Sequence, residues 1–296
     1  MILEFKDVNK SFGEKHVLKG VSFCAESGKA FGLLGRNGAG KTTSIRILMD
    51  VFHGDSGQVL IDGKPVDYSR ISFGYLPEER GLYPRKKIGD QLVYFAELKG
   101  MSHNDAVAAV DYWLGRLGMI SYKNKKLETL SKGNQQKIQL VTALTHDPQI
   151  VILDEPFSGL DPVNARLLKD IVRETISKGK IVLFSSHQMN YIEEFCDSIA
   201  IINAGRVVLS GDLKEIKRNY VRDKLTVKTQ QPERVTEAFG DRVSTLPDGT
   251  LILQMETPED KKATMSRLLE CCDVDEVGVY EPSLNDIFVE YTEREI

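Results

Sequence analysis

Residues 32–48 read "GLLGRNGAGKTTSIRIL". An apolar run enters a turn with glycine at 35, 38 and 40, and an apolar-periodic segment follows. The turn fits GxxxxGK(S/T) as Gly35, Arg36, Asn37, Gly38, Ala39, Gly40, Lys41, Thr42, with Thr43 directly behind. Positions without side chains let backbone N–H groups curl around an anion. A helix starting near Lys41 would aim its free amides and its dipole at the same point. Lys41 supplies a point charge for outer phosphates, and the Thr42 hydroxyl can ligate Mg²⁺. The stretch therefore predicts strand, phosphate-cradling loop and helix in succession, a nucleoside-triphosphate site. By itself it leaves kinase, GTPase, ATPase motor and transporter open.

The pattern around it extends the fold. "ILEFKDV" and "VLKGVSFCAE" alternate like antiparallel strands, "AFGLLG" is a buried strand, and "GQVLIDG" is a strand between glycines. From about 88 to 145 the periodicity is helical. Strand "QIVILDE", helix "PVNARLLKDIVRETISKG", strand "KIVLFSS", helix "QMNYIEEFCD" and strands "SIAIINAG" and "RVVLSG" follow. Alternation of strand and helix predicts an α/β core whose working edge lies at the strand C-termini. A charged helical linker is expected at 214–224. Beyond it the order β-α-β-β-α-β, with "PDGT" as a hairpin turn, predicts a small ferredoxin-like α+β domain over 225–296. That domain ends in a helix with Ser283 as N-cap and Leu284, Ile287 and Phe288 on one face.

Composition narrows the class. The 296 residues are 41% hydrophobic and 28% charged, with a net charge of −4 that gives no reason to expect nucleic acid. No apolar run approaches the ~18 residues of a membrane span, and the N-terminus lacks the order of a signal peptide. A cytoplasmic chain is expected. Cys24, Cys196, Cys271 and Cys272 fit neither a disulfide framework nor a zinc site.

"IVILDEP", 150–156, ends a buried strand in two carboxylates. Beside a phosphate loop, Asp154 can hold a metal through water and Glu155 can take a proton from an attacking water. The plainer alternative is an acidic strand-to-helix cap.

With these residues in place the chain resembles the ABC (ATP-binding-cassette) ATPases. "LSKGNQQKIQL", 130–140, is similar to the family signature, "SGLDP", 158–162, to its D-loop, and "SSHQM", 185–189, to the segment of its switch histidine. "SFG", 11–13, puts Phe12 where the family stacks an aromatic on adenine. Together with the glycine turn and the Asp-Glu strand these motifs occur in the family's order over residues 1–213, whereas a lone His187 or Phe12 would read as structural. Two departures stand out. "GYLPEERGLYP", 74–84, has Glu78 where a glutamine is usual, and the signature has Lys132 for a glycine and Asn134 for a glutamine, keeping Ser131 and Gly133. These forms, and the ending "SLNDIFVEY", resemble bacterial exporter ATPases whose membrane domain is a separate chain, NatA-type systems among them.

The resemblance implies a P-loop NTPase cassette over 1–213, with a mixed core sheet, an antiparallel β subdomain and a helical subdomain at about 80–145. It implies ATP and Mg²⁺, with Thr42, Asp154 and Glu78 near the metal, Glu155, His187 and Lys41 catalytic, and Phe12 on the base. It further implies a head-to-tail pair of cassettes, homodimeric or with a paired ATPase subunit. There Ser131, Lys132, Gly133 and Asn134 of one chain, with Asp161 of the D-loop, close over nucleotide on the other. A transmembrane permease would dock on the helical region, "GLYPRKKIGDQLVYF" being the expected surface, at the inner face of the membrane. The alternatives are a soluble ABC ATPase on ribosomes or nucleic acid, which would usually carry two cassettes or a long coiled-coil insertion, neither visible here, and a small-molecule kinase, which would not need the signature.

Overall fold

Every residue of three short segments, 30–34, 150–154 and 181–185, is buried, as befits parallel strands covered on both faces. They form the centre of the first of two compact units in a computed structural model that describes residues 1–79, 81–186, 188–220 and 223–293. His187, one of the expected catalytic residues, lies outside the described residues.

The first unit comprises Met1–Leu213 together with the chain from Phe288 on. In chain order it has β1 (Ile2–Phe12), β2 (Lys15–Glu26), β3 (Ala30–Leu34), α1 (Lys41–Leu48), β4 (Ser56–Ile61), β5 (Lys64–Pro65) and β6 (Phe73–Leu76). Helices α2 (Ile88–Leu98), α3 (His103–Arg116) and α4 (Lys132–Leu144) follow. Then come β7 (Ile150–Asp154), α5 (Pro162–Ser177), β8 (Ile181–Ser185), α6 (Met189–Phe195), β9 (Ser198–Asn203) and β10 (Arg206–Asp212). The core sheet runs β10-β9-β3-β8-β7-β6, with β10 antiparallel to β9 and the other pairs parallel. An antiparallel sheet, β2-β1-β4-β5, contributes Leu3, Phe5, Val21 and Phe23 to the same hydrophobic core as Phe31, Leu33, Ile152 and Leu183. Because β3, β7 and β8 are parallel, their C-terminal ends share one edge, and the glycine turn and the Asp154–Glu155 pair emerge there together.

The sequence pattern misses β6. Its four residues, Phe-Gly-Tyr-Leu, become a strand only by pairing with β7, Phe73 opposite Ile150 and Leu76 opposite Leu153. Gly74 has a tertiary reason: a Cβ there would stand 2.1 Å from the Ala143 carbonyl oxygen and 2.7 Å from Pro148 Cγ. The strand thus lies backbone to backbone on the end of α4.

The second unit, Lys214–Ile287, has most of α7 (Leu213–Asn219), then β11 (Lys224–Lys228), α8 (Pro232–Phe239), β12 (Val243–Thr245), β13 (Leu251–Gln254), α9 (Lys261–Cys271) and β14 (Glu276–Val279). Its sheet is antiparallel in the order β12-β13-β11-β14. Leu225, Val227, Val235, Phe239, Leu253 and Leu268 form its core. Residues of the expected linker cluster with this unit. The last helix, α10 (Leu284–Glu293), is divided: the sequence pattern assigns all of it to the C-terminal domain, but from Phe288 on it clusters with the first unit. Its N-terminus is capped as expected, the Ser283 hydroxyl accepting from the Asp286 amide at 3.2 Å.

Candidate functional site

The buried strand β3 delivers Gly35 to the sheet edge, and the turn is closed by a bond from the Ala39 amide to the Arg36 carbonyl at 3.1 Å. Gly38 and Gly40 have φ of 81° and 118°, where a side chain would be strained. Gly40 also occupies the N-cap of α1 with no side-chain cap, so the first amides of the helix stay directed at the turn. The helix start is fixed from beneath, where the buried Ser44 hydroxyl donates to the Gly40 carbonyl at 3.1 Å. Lys41 Nζ donates to the Gly35 carbonyl at 2.6 Å and to that of Arg36 at 3.3 Å. Burial pulls the Lys41 ammonium below its ordinary pKa, and Asp154, Glu155 and Glu78 act against that. Such an amine gains from a second source of negative charge.

At the end of β7, Asp154 and Glu155 are both buried. Burial pushes the Asp154 carboxyl up, with Glu78 and Glu155 acting the same way. Tyr75 on β6 stands 3.5 Å from it, its own hydroxyl raised to about 12 by burial and by Asp154. Glu155 has φ 49°, a left-handed conformation uncommon for a glutamate. Its amide donates to the Ser185 carbonyl at 2.8 Å and its carbonyl accepts from the Ser158 amide at 3.1 Å, while the buried Ser186 hydroxyl donates to its Oε2 at 2.9 Å. The carboxylate is thereby held in one orientation at the sheet edge.

A cavity of about 670 Å³ joins these groups. Phe12, Gly35, Arg36, Asn37, Gly38, Gly40, Lys41, Thr42, Thr43, Glu78, Asp154 and Glu155 line it. Ala39 is buried behind the turn and offers backbone only. The residues fit Mg²⁺: the Thr42 hydroxyl and three carboxylates face one space, and the ionised form of Asp154 is the one a dication would favour. Among the described residues no group of three His, Cys, Asp or Glu is arranged as a metal cage. Mg²⁺ commonly needs only one or two carboxylates, completing its shell with water and phosphate oxygens.

The signature residues and Asp161 are not among the cavity's lining residues. They meet each other. Ser131 caps α4, accepting from the Asn134 amide at 3.4 Å, with Lys132 exposed beside it. A Cβ at Gly133 would lie 3.6 Å from Asn164 Nδ2, and that group donates to Asp161 Oδ2 at 2.5 Å. Asp161 caps α5 through the Asn164 amide at 2.9 Å. Sequence reasoning did not find Tyr75 or Ser186, which position the carboxylates, nor Lys15, Val17 and Phe288, which line the cavity. No local signal marks them; only the tertiary fold brings them to the sheet edge.

A phosphate loop on a mostly parallel sheet, facing two buried carboxylates, defines a nucleoside triphosphatase of the P-loop class. The ABC transporter family model matches residues 18–158, and that of the DrrA1-3-like ATP-binding protein C-terminal domain matches 211–292. The uncharacterized ABC transporter ATP-binding protein YhaQ of Bacillus subtilis is 41% identical over 98% of each chain. The Nod factor export ATP-binding protein I of Burkholderia lata is 35% identical over 71% of this chain and 70% of its own length. A solved structure of an ATP-binding subunit of an ABC transporter superposes with a TM-score of 0.68 at 31% identity, covering 74% of this chain and 93% of that one. The chain belongs to the ABC transporter ATP-binding proteins. It is the ATPase subunit of a transport system, of a family that binds ATP, generally with Mg²⁺, and pairs with membrane permeases. No helix among the described residues is long and apolar enough to cross a membrane itself.

Proposed function

We propose that this chain drives export through a separate membrane chain by ATP-dependent pairing of two cassettes. The observation that carries this reading is the single cavity shared by the glycine turn and the two buried carboxylates, with the signature turn outside its lining. One chain thus supplies one phosphate cradle and, elsewhere, one signature turn, so two chains complete two sites. Export is favoured by the relative that serves Nod factor export and by the resemblance of the glutamate-bearing loop and signature to exporter ATPases.

Amides of the glycine turn and the first turn of α1 bind the phosphates, and Lys41 offsets their charge. Thr42 and Asp154 would hold Mg²⁺, with Glu78 beside them; the ion, when bound, draws charge off the phosphate oxygens. Glu155, oriented by Ser186, accepts a proton from the attacking water. Positioning and electrostatics supply most of the acceleration in such transfers. His187 would contact the γ-phosphate and Phe12 would take the base. Ser131, Lys132, Gly133 and Asn134, braced by the Asp161 cap, would close over nucleotide on the other chain. ATP then favours pairing because it touches both halves only when they are joined. The permease would dock at residues 81–95, placing the chain at the inner membrane face.

The test is Glu155→Gln. Loss of the general base should cut steady-state ATPase by about 10²–10⁴-fold while ATP binding persists. A turnover matching the wild type overturns the assignment.

A further inference from the structure

Part of the cavity wall comes from outside residues 1–213. Phe288 of α10 lines it, in company with Phe12 and Val17. Phe288 and the residues after it cluster in the same unit as the glycine turn. Their position is anchored. Asn203, at the end of the strand beside β3, donates through Nδ2 to the carbonyls of Tyr291 and Thr292, each at 3.4 Å. The Thr292 side chain is buried and its hydroxyl donates to the Phe288 carbonyl at 2.8 Å. Glu293 reaches Arg36 of the glycine turn at 3.6 Å; both side chains are exposed, so this pair adds orientation more than stability.

The lining is divided by chemistry. One part is backbone amide, Lys41, Thr42 and carboxylate, suited to phosphate and metal. Phe12, Val17 and Phe288 are apolar, and two of them present aromatic rings. An aromatic surface in a cavity of nucleotide size suits a planar base, which stacks on a ring whatever its hydrogen-bonding edge. Phe12 is 49% exposed, so its ring is available as well.

We infer that Phe288 is a nucleoside-contacting residue, supplied by the chain's own C-terminal helix, which sets affinity for the base-bearing end of the nucleotide. The inference rests on the reading of this cavity as the ATP site. It gives the end of α10 a part in binding that the sequence pattern, ending the site at His187, does not.

The experiment measures binding of Mg–ATP and of Mg–triphosphate, which has no base, to the full-length chain by calorimetry. Phe288→Leu keeps apolar volume and removes the ring, and Phe288→Tyr keeps the ring. The Leu variant should bind ATP about tenfold more weakly, the Tyr variant within about twofold of wild type, and both should bind triphosphate normally. A second measurement does not depend on the Leu variant folding. In Trp113→Phe with Phe288→Trp, the remaining tryptophan should change its emission with ATP and not with triphosphate. If the wild type binds neither ligand, the reading of the cavity fails. If the wild type binds ATP and the Leu variant binds it equally well, this inference alone is overturned. Equal losses of ATP and triphosphate would overturn it too, because Phe288 would then be shaping the phosphate loop. So would an unresponsive tryptophan.

Discussion

Asp154 shows how the site is built at a cost to the protein that carries it. Its carboxyl is raised above the ordinary value by burial, then by Glu78 and Glu155. The folded state therefore binds this proton more readily than the unfolded chain. Stability falls as pH rises from the usual carboxylate range through the raised value, and at neutral pH the ionised side chain is destabilising. Asp154→Asn should melt higher than wild type at pH 7 without nucleotide, on a scale of about 2–4 °C per kcal/mol in a domain of this size. The gap should close as pH is lowered until both forms are uncharged. Mg–ATP should raise the melting temperature of the wild type more than that of the variant. Thermal melts from pH 4 to 8 check this, and a variant that melts lower at pH 7 contradicts it. At this scale the sequence was most informative where chemistry demands particular residues close together. The glycines, Lys41 and Thr42 form one run, and Asp154 and Glu155 end a plainly buried strand. Phe288 escaped because Leu284, Ile287 and Phe288 share a helical stripe, and periodicity assigns a stripe to one neighbour. In the structure Leu284 and Ile287 are fully buried while Phe288 is only partly buried and lines the cavity.

Among elements, α2 and the loop before it carry the expected permease surface. The Leu127 and Glu128 amides donate to the Lys86 and Pro84 carbonyls of this loop, and a buried side chain braces it from within. Gln91 is 4% exposed; its Oε1 accepts from the Tyr83 amide at 3.1 Å and its Nε2 approaches the carbonyls of Tyr83, Lys86 and Lys87 at 3.4–3.5 Å. Arg85, Lys86 and Lys87 are exposed around it, and the Tyr83 ring, also exposed, stacks on Phe95 at 6.1 Å. Gln91→Leu should cost about 1–3 kcal/mol, because the Tyr83 amide loses a buried partner. ATP hydrolysis by the isolated chain should be retained, while the permease complex loses its coupling of ATPase to transport. Melting curves and paired ATPase and transport assays in vesicles report the two effects; full coupling would remove this loop from the docking surface. The bracing role was not legible, since a glutamine on a helix gives no sign of which carbonyls it meets. Nor was β6, because four residues with a central glycine carry too little periodicity to announce a strand without the partner strand β7. The long apolar strands and the amphipathic α5 suffered no such ambiguity. Buried Ala165, Leu168, Ile171, Val172 and Thr175 recur at helical spacing on α5.

For the whole molecule, the separation of the signature turn from the cavity bears on the proposed pairing. If each site is completed by the signature turn of a second chain, as proposed, a chain gains little from pairing until nucleotide is present. The isolated protein should sediment as a monomer at micromolar concentration and as a dimer when Glu155→Gln is given Mg–ATP. A tight dimer without nucleotide would contradict this and point to another seam. The contact at Gly74 joins the strand that leads toward the cavity to the helix that carries the signature turn. There the strand leading to Glu78 rests on the Ala143 carbonyl with no compliant side chain between, and Gln139 Nε2 ties the Glu79 carbonyl to the same helix at 3.1 Å. From Ala143 to Ser131 the helix spans about 18 Å. It is a stiff bar with a fulcrum near one end. Were the loop beside the cavity to shift, a bar pivoting there would move most at Ser131, which on the proposed pairing is where one chain grips the nucleotide of the other.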